Sequence, residues 1–107
     1  MRVAYSVLRE INRKNYSPSA KDYGLTDREF ENFIFFLENK DLVERVLRVN
    51  EEFSIKIARL TNKGKVFLNE MKHYEETYPT GRLKLIEWVQ LERELYSNEG
   101  IEEFDNL

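Results

Sequence analysis

"GLTDREFENFIFFLENKD" runs from Gly24 to Asp41. Phe30, Phe33, Ile34 and Leu37 recur at i, i+3, i+4 and i+7, the spacing of one buried stripe on an α-helix. Thr26 stands where an N-cap belongs, and Glu29 three residues on completes a capping box. The stretch is acidic, with Asp27, Glu29, Glu31, Glu38 and Asp41 against Arg28 and Lys40. At about 100° per residue, the face opposite the stripe holds Arg28, Asn32, Phe35 and Asn39. The acids lie off that face. Asp27, Glu31 and Glu38 follow one flank, and Glu29 lies on another.

Upstream, Ala4, Val7, Leu8 and Ile11 predict a first helix from about Arg2 to Lys14. In "NYSPSAKDYG", residues 15–24, Ser17-Pro18 starts a very short second helix and Gly24 closes it. Downstream, "LVERVLRV" (42–49) and "FSIKIARL" (53–60) are rich in β-branched residues and flank Asn50-Glu51-Glu52, which predicts a two-stranded hairpin. Pairing Val49 with Phe53 would set Leu47 against Ile55 and Arg45 against Ile57 on one face. Val46, Arg48, Ser54 and Lys56 would occupy the other. Thr61 caps a further helix reaching Tyr78, with Phe67, Met71, Tyr74 and Tyr78 on one side. Gly64 costs that helix about 1 kcal/mol relative to alanine, which is expected only where another element packs closely over its first turn. Pro79-Thr80-Gly81 ends it, and a last helix is expected from about Arg82 to Ser97.

The expected fold is mainly α with a two-stranded β-hairpin, an α+β class. The order helix, short helix, helix, hairpin, helix, helix is that of a winged helix-turn-helix with a C-terminal helical extension. "LTDREFENFIFFLENKDLVERV", a hairpin, then "ARLTNKGKVFL" with Leu-Thr-x-x-Gly opening the helix after the wing, resembles the common winged-helix arrangement. More narrowly, the short first helix, the Gly-Leu-Thr entry and "LKLIEWV" with Trp88 resemble the small YjcQ-like family of Gram-positive bacteria and their prophages. That resemblance covers roughly residues 3–90. It implies no established activity and lends no catalytic or binding residues. Residues 1–97 read as one domain, with the wing at about 42–60 and the extension helix at about 82–97. Residues 98–107 read as an acidic tail.

The chain has 107 residues, enough for one domain that buries roughly two-thirds of its unfolded surface. With 35% charged and 41% hydrophobic residues and no cysteine, a reducing cytoplasm is the expected setting, and thiolate or Cys-based zinc chemistry is excluded. No apolar run approaches the ~18 residues of a membrane span. Net charge is −3, which argues against indiscriminate polyanion binding. The charge is uneven, however. Residues 1–65 hold 13 Lys/Arg and 10 Asp/Glu, whereas residues 66–107 hold 4 and 10.

Two functional classes follow. The first is a DNA-binding transcriptional regulator. Arginine pairs bidentately with guanine, asparagine with adenine, and an apolar ring touches a thymine methyl, so Arg28, Asn32, Phe35 and Asn39 are the expected base contacts. Arg9, Arg13, Lys21, Arg48 and Lys56 are the expected phosphate contacts that would position the helix. The acidic wing tip, Asn50-Glu51-Glu52, opposes deep minor-groove insertion, so binding to double-stranded DNA is expected to be weak and salt-sensitive. The last helix is apolar over more than half its circumference, with Leu85, Ile86, Val89 and Tyr96 on one side and Trp88, Leu91 and Leu95 on a neighbouring side. The second set predicts a homodimer interface, unless Ile101, Phe104 and Leu107 fold back over it. The alternative class is a protein–protein interaction module of the prophage accessory kind, without nucleic acid.

An enzyme is not expected. His73 has Glu70 and Glu76 at i−3 and i+3, but no second histidine or any cysteine completes a transition-metal set. The four glycines are isolated, so no phosphate-cradling loop exists. No cofactor, metal or small-molecule ligand is implied.

Overall fold

The computed structural model describes residues 1–96, with side chains as far as Leu91. Local chemistry sets its elements. Helix α1 (Arg2–Arg13) ends at Lys14, which takes a left-handed φ of 59°. A 3₁₀ turn follows at Ala20–Tyr23, capped by Ser19 and Asp22 rather than by Ser17 and closed by Gly24 at φ 68°. Helix α2 (Asp27–Asn39) starts with the expected capping box: the Thr26 hydroxyl accepts the Glu29 N–H at 3.1 Å, and the Glu29 carboxylate accepts the Thr26 N–H at 2.8 Å. Its buried residues are Phe30, Ile34 and Leu37.

Strands β1 (Val43–Glu44) and β4 (Arg59–Leu60) pair antiparallel, as do β2 (Leu47–Val49) and β3 (Glu52–Ser54). Helix α3 (Asn62–Glu70) and helix α4 (Leu85–Tyr96) complete a mixed α+β fold of four α-helices and two short strand pairs among the described residues. Helix α1 is the centre. Val7 and Leu8 are wholly buried, and α1 packs against β4, α3 and α4. Helix α4 also lies on the Ala20–Tyr23 turn. One core runs through all of these elements.

The hairpin differs from expectation in register. Val49 pairs with Glu52, Arg48 with Phe53 and Leu47 with Ser54, so the turn is Asn50-Glu51 alone. Both turn residues have positive φ, 49° and 69°, the conformation whose twist suits a two-residue hairpin connection. The change sets Phe53 beside Phe30 of α2, edge to face at 6.4 Å, and leaves Leu47 and Val49 exposed. Glu51 carries a Cβ in a region that glycine occupies freely. Glu51→Gly is therefore expected to raise stability by about 0.5–1 kcal/mol, read as a higher urea midpoint with an unchanged slope.

The helix expected to run from Thr61 to Tyr78 is α-helical only to Glu70. From Met71 it tightens into a 3₁₀ turn at Lys72–Glu76, with Tyr74 N–H bonded to Met71 C=O at 3.0 Å. The i→i+3 geometry changes the angular spacing of successive side chains, and it aims Tyr74 and Tyr78 at Trp88 of α4. The last helix likewise begins as a 3₁₀ turn, Arg82–Lys84, before α4.

Candidate functional site

Helix α2 presents the ridge its periodicity implies. Arg28, Asn32, Phe35 and Asn39 are all exposed, Phe35 to 55%. Among the described residues, no hydrogen bond or ion pair engages the side chains of Arg28, Asn32 or Asn39, and they lie opposite the buried Phe30, Ile34 and Leu37.

The carboxylates have other uses. Glu29 closes the cap, and acids in a first helical turn suit the helix dipole. Glu38 faces the hairpin, where the Arg48 guanidinium donates to it at 2.6 Å. Arg48 also lies over the rings of Phe53 and Phe35, 5.6 and 5.9 Å from their centroids. Asp27, Phe30 and Glu31 form one wall of a cleft of about 390 Å³ whose other wall is Phe53, Ser54, Ile55 and Lys56. The acidic flank of α2 thus faces the hairpin, and the ridge beside it keeps its neutral and cationic character.

The expected phosphate contacts are divided. Lys21 and Lys56 are exposed, and no described residue forms an ion pair with either. Arg48 is paired with Glu38. Arg9 and Arg13, grouped with them from the sequence, belong to a different surface. Both line a cleft of about 340 Å³ that includes Glu75, Tyr78 and Arg82. The Arg9 side chain is only 14% exposed. Its guanidinium donates to both oxygens of Glu75 at 2.8 and 2.9 Å and to Glu10 at 2.7 Å, and stacks 3.9 Å from the centre of the Tyr78 ring. So engaged, Arg9 is a structural residue rather than one presented to a polyanion.

This network was not visible in the sequence. Glu10 is 2% exposed. Tyr78 donates to it at 2.6 Å, and Ser6 lies 2.9 Å from both the Tyr78 and Tyr23 hydroxyls. Because each hydroxyl has one proton and that of Tyr78 goes to Glu10, Ser6 donates to Tyr78 and accepts from Tyr23. Tyr5 donates to Glu75 at 2.5 Å. Burial, and then that hydrogen bond, push the Tyr5 hydroxyl up to about 12, and burial drives Tyr23 and Tyr78 upward too. Arg9 holds the Glu75 carboxyl below its usual range. The available signal was Ser6 and Glu10, one turn apart on a helix that is buried almost all round.

Trp88, expected at a dimer interface, is 5% exposed within its own domain. Arg2 covers it at 4.9 Å, Tyr74 and Tyr78 meet it edge-on, and its indole N–H donates to Thr77 at 3.0 Å. The 3₁₀ turn supplies the partner that the sequence left unassigned. Leu91 is 54% exposed. The side chain of Leu95, and the residues Ile101, Phe104 and Leu107, lie outside the description. His73 is exposed, and among the described residues no three His, Cys, Asp or Glu side chains are grouped as metal ligands. No helix among them is long and apolar enough to cross a membrane. Compared with protein-family models, curated proteins and solved structures, the chain matches none.

Proposed function

We propose that this chain is a DNA-binding regulator of winged helix-turn-helix type, in which α2 offers its outer ridge to base edges and the hairpin is the wing. The observation that carries this reading is the unobstructed line of Arg28, Asn32, Phe35 and Asn39, with the neighbouring acids turned toward the hairpin. An arginine, two carboxamides and an apolar ring at helical spacing suit the donor, acceptor and methyl pattern of a major groove. Lys21 and Lys56 are the cations available to phosphates on this reading, with Arg48 a third if it leaves Glu38. The winged-helix and YjcQ-like resemblance is part of the same proposal, as is dimerisation. A second copy would compensate for few phosphate contacts, and the exposed Leu91 on α4 supports a contact there that excludes Trp88.

Fluorescence anisotropy with random-sequence duplex DNA tests the reading. Three phosphate contacts give a salt slope near −2.7, hence roughly a 40-fold loss of affinity between about 50 and 200 mM salt. Arg28→Ala/Asn32→Ala is expected to weaken binding at least fivefold at the lower salt with no change in the melting midpoint. A flat salt titration would contradict the reading. One observation favours a protein partner instead: Phe35, Leu47 and Val49 are all exposed apolar residues on α2 and the hairpin. If the ridge serves such a partner, duplex DNA is not bound at either salt.

A further inference from the structure

The outer part of the hairpin is a separate piece of structure. The β2·β3 ladder stops at Leu47↔Ser54, and pairing resumes at Glu44↔Arg59. Between the two, Arg45 takes a φ of 64°, and the opposite strand turns at Ile55–Ala58, closed by the Ala58 N–H on the Ile55 carbonyl at 3.1 Å. No continuous ladder fixes the tip to the body, and a two-stranded ribbon is marginal on its own. Contacts with α2 therefore set its position. Among them are Phe53 against Phe30 and the Arg48–Glu38 ion pair. Arg48 also borders the ridge, since its guanidinium lies over Phe35. A phosphate running beside the ridge at Phe35 meets a cation that is already paired and a carboxylate that repels it.

The geometry points to Glu38 as a built-in competitor of the nucleic-acid backbone, which occupies Arg48 until a duplex lying along the ridge exchanges that carboxylate for a phosphate. This rests on the reading of the ridge proposed above and adds its regulation. The exchange is feasible because the pair is solvent-exposed, at 43% for the Arg48 and 25% for the Glu38 side chain, and exposed pairs are individually weak. Phosphate contacts carry no sequence information. A competitor for them lowers affinity for every sequence alike and leaves discrimination to Arg28, Asn32 and Asn39.

The test compares the full chain with Glu38→Gln, Glu31→Gln, Arg48→Ala and the double variant Glu38→Gln/Arg48→Ala on random-sequence duplex DNA. Glu31 lies on the same flank with no ion pair to a described residue, so its variant controls for the charge alone. Because Arg48 then meets its phosphate without first giving up an ion pair, Glu38→Gln is expected to tighten binding about fivefold at low salt with the salt slope unchanged, against about twofold for Glu31→Gln. Arg48→Ala is expected to make the salt slope shallower by about 0.9 in both backgrounds and to abolish the gain of Glu38→Gln, weakening that variant about fivefold more than it weakens the parent. The inference is overturned if the two glutamine variants behave alike, or if Arg48→Ala weakens the parent as much as it weakens Glu38→Gln. In either case a loss of binding in Arg28→Ala/Asn32→Ala still upholds the ridge. Absence of binding by every protein overturns both.

Discussion

Replacing Gly64 with alanine is expected to destabilise the domain by roughly 3 kcal/mol or more, enough to leave much of the chain unfolded at room temperature if its total stability is ordinary. The argument is steric. A Cβ at residue 64 would overlap the carbonyl oxygen of Leu42 and lie 3.0 Å from its carbonyl carbon and 3.3 Å from its Cα. These are backbone atoms and have no rotamer to relax into. The same oxygen accepts the Thr61 N–H at 3.0 Å. The Thr61 hydroxyl accepts the Gly64 N–H at 2.9 Å and donates to the Asp41 carbonyl at 2.6 Å. Moving Leu42 aside would therefore break the cap of α3 and disturb the β1·β4 ladder in one step. Gly81→Ala is the control. Nothing lies within 4 Å of a Cβ there, and its φ of −110° suits any residue, so stability should change by less than about 0.5 kcal/mol. Urea denaturation of the two variants checks both statements. A Gly64→Ala protein as stable as Gly81→Ala would mean that α3 does not approach Leu42 so closely.

Gly64 also shows what a sequence makes legible. A glycine on the apolar side of a capped helix has one economical explanation, a neighbour too close for a side chain, and Leu42 is that neighbour. The cap and buried stripe of α2 were readable for a related reason: they depend on residues three or four apart. So was the ridge, which is the stripe rotated by half a turn. Hairpin register was not, because Asn50-Glu51 lacks the glycine that marks a tight turn, and apolar residues alternate on either side of it. Trp88 was read as a dimer contact because the apolar arc of α4 is wider than one buried stripe. Only the departure from α geometry after Glu70 brings Tyr74 and Tyr78 over the indole. Arg9 was read as a phosphate contact because its principal partner, Glu75, is 66 residues away, and no local spacing announces such a pair.

That pair underlies the other large effect. Arg9→Ala is expected to cost about 3 kcal/mol, because removing one member of a buried ion pair leaves the other uncompensated. The larger part of the loss arises at Glu10, whose side chain is 3% exposed and accepts from Arg9 at 2.7 Å. Glu75, with 46% of its side chain exposed, can recover water and contributes less. Arg9→Lys should recover only a minor part. One guanidinium reaches two carboxylates and lies against the face of Tyr78, a geometry an ammonium on a flexible stem does not reproduce. The pH dependence has a definite sign. In the parent, Glu75 titrates below its ordinary value, first because Arg9 donates to it. A depressed folded-state value means this stabilisation is complete above the unfolded carboxyl's range, near pH 4.3, and is lost as pH falls through the lower folded value. Denaturant midpoints of the parent should therefore decline below about pH 4.5, and part of that decline should vanish in Arg9→Ala. If the two proteins instead lose stability in parallel on acidification, Arg9 is not what holds Glu75 ionised, and the link between α1 and the 3₁₀ turn after α3 must come from the tyrosine hydroxyls and the rings around Trp88.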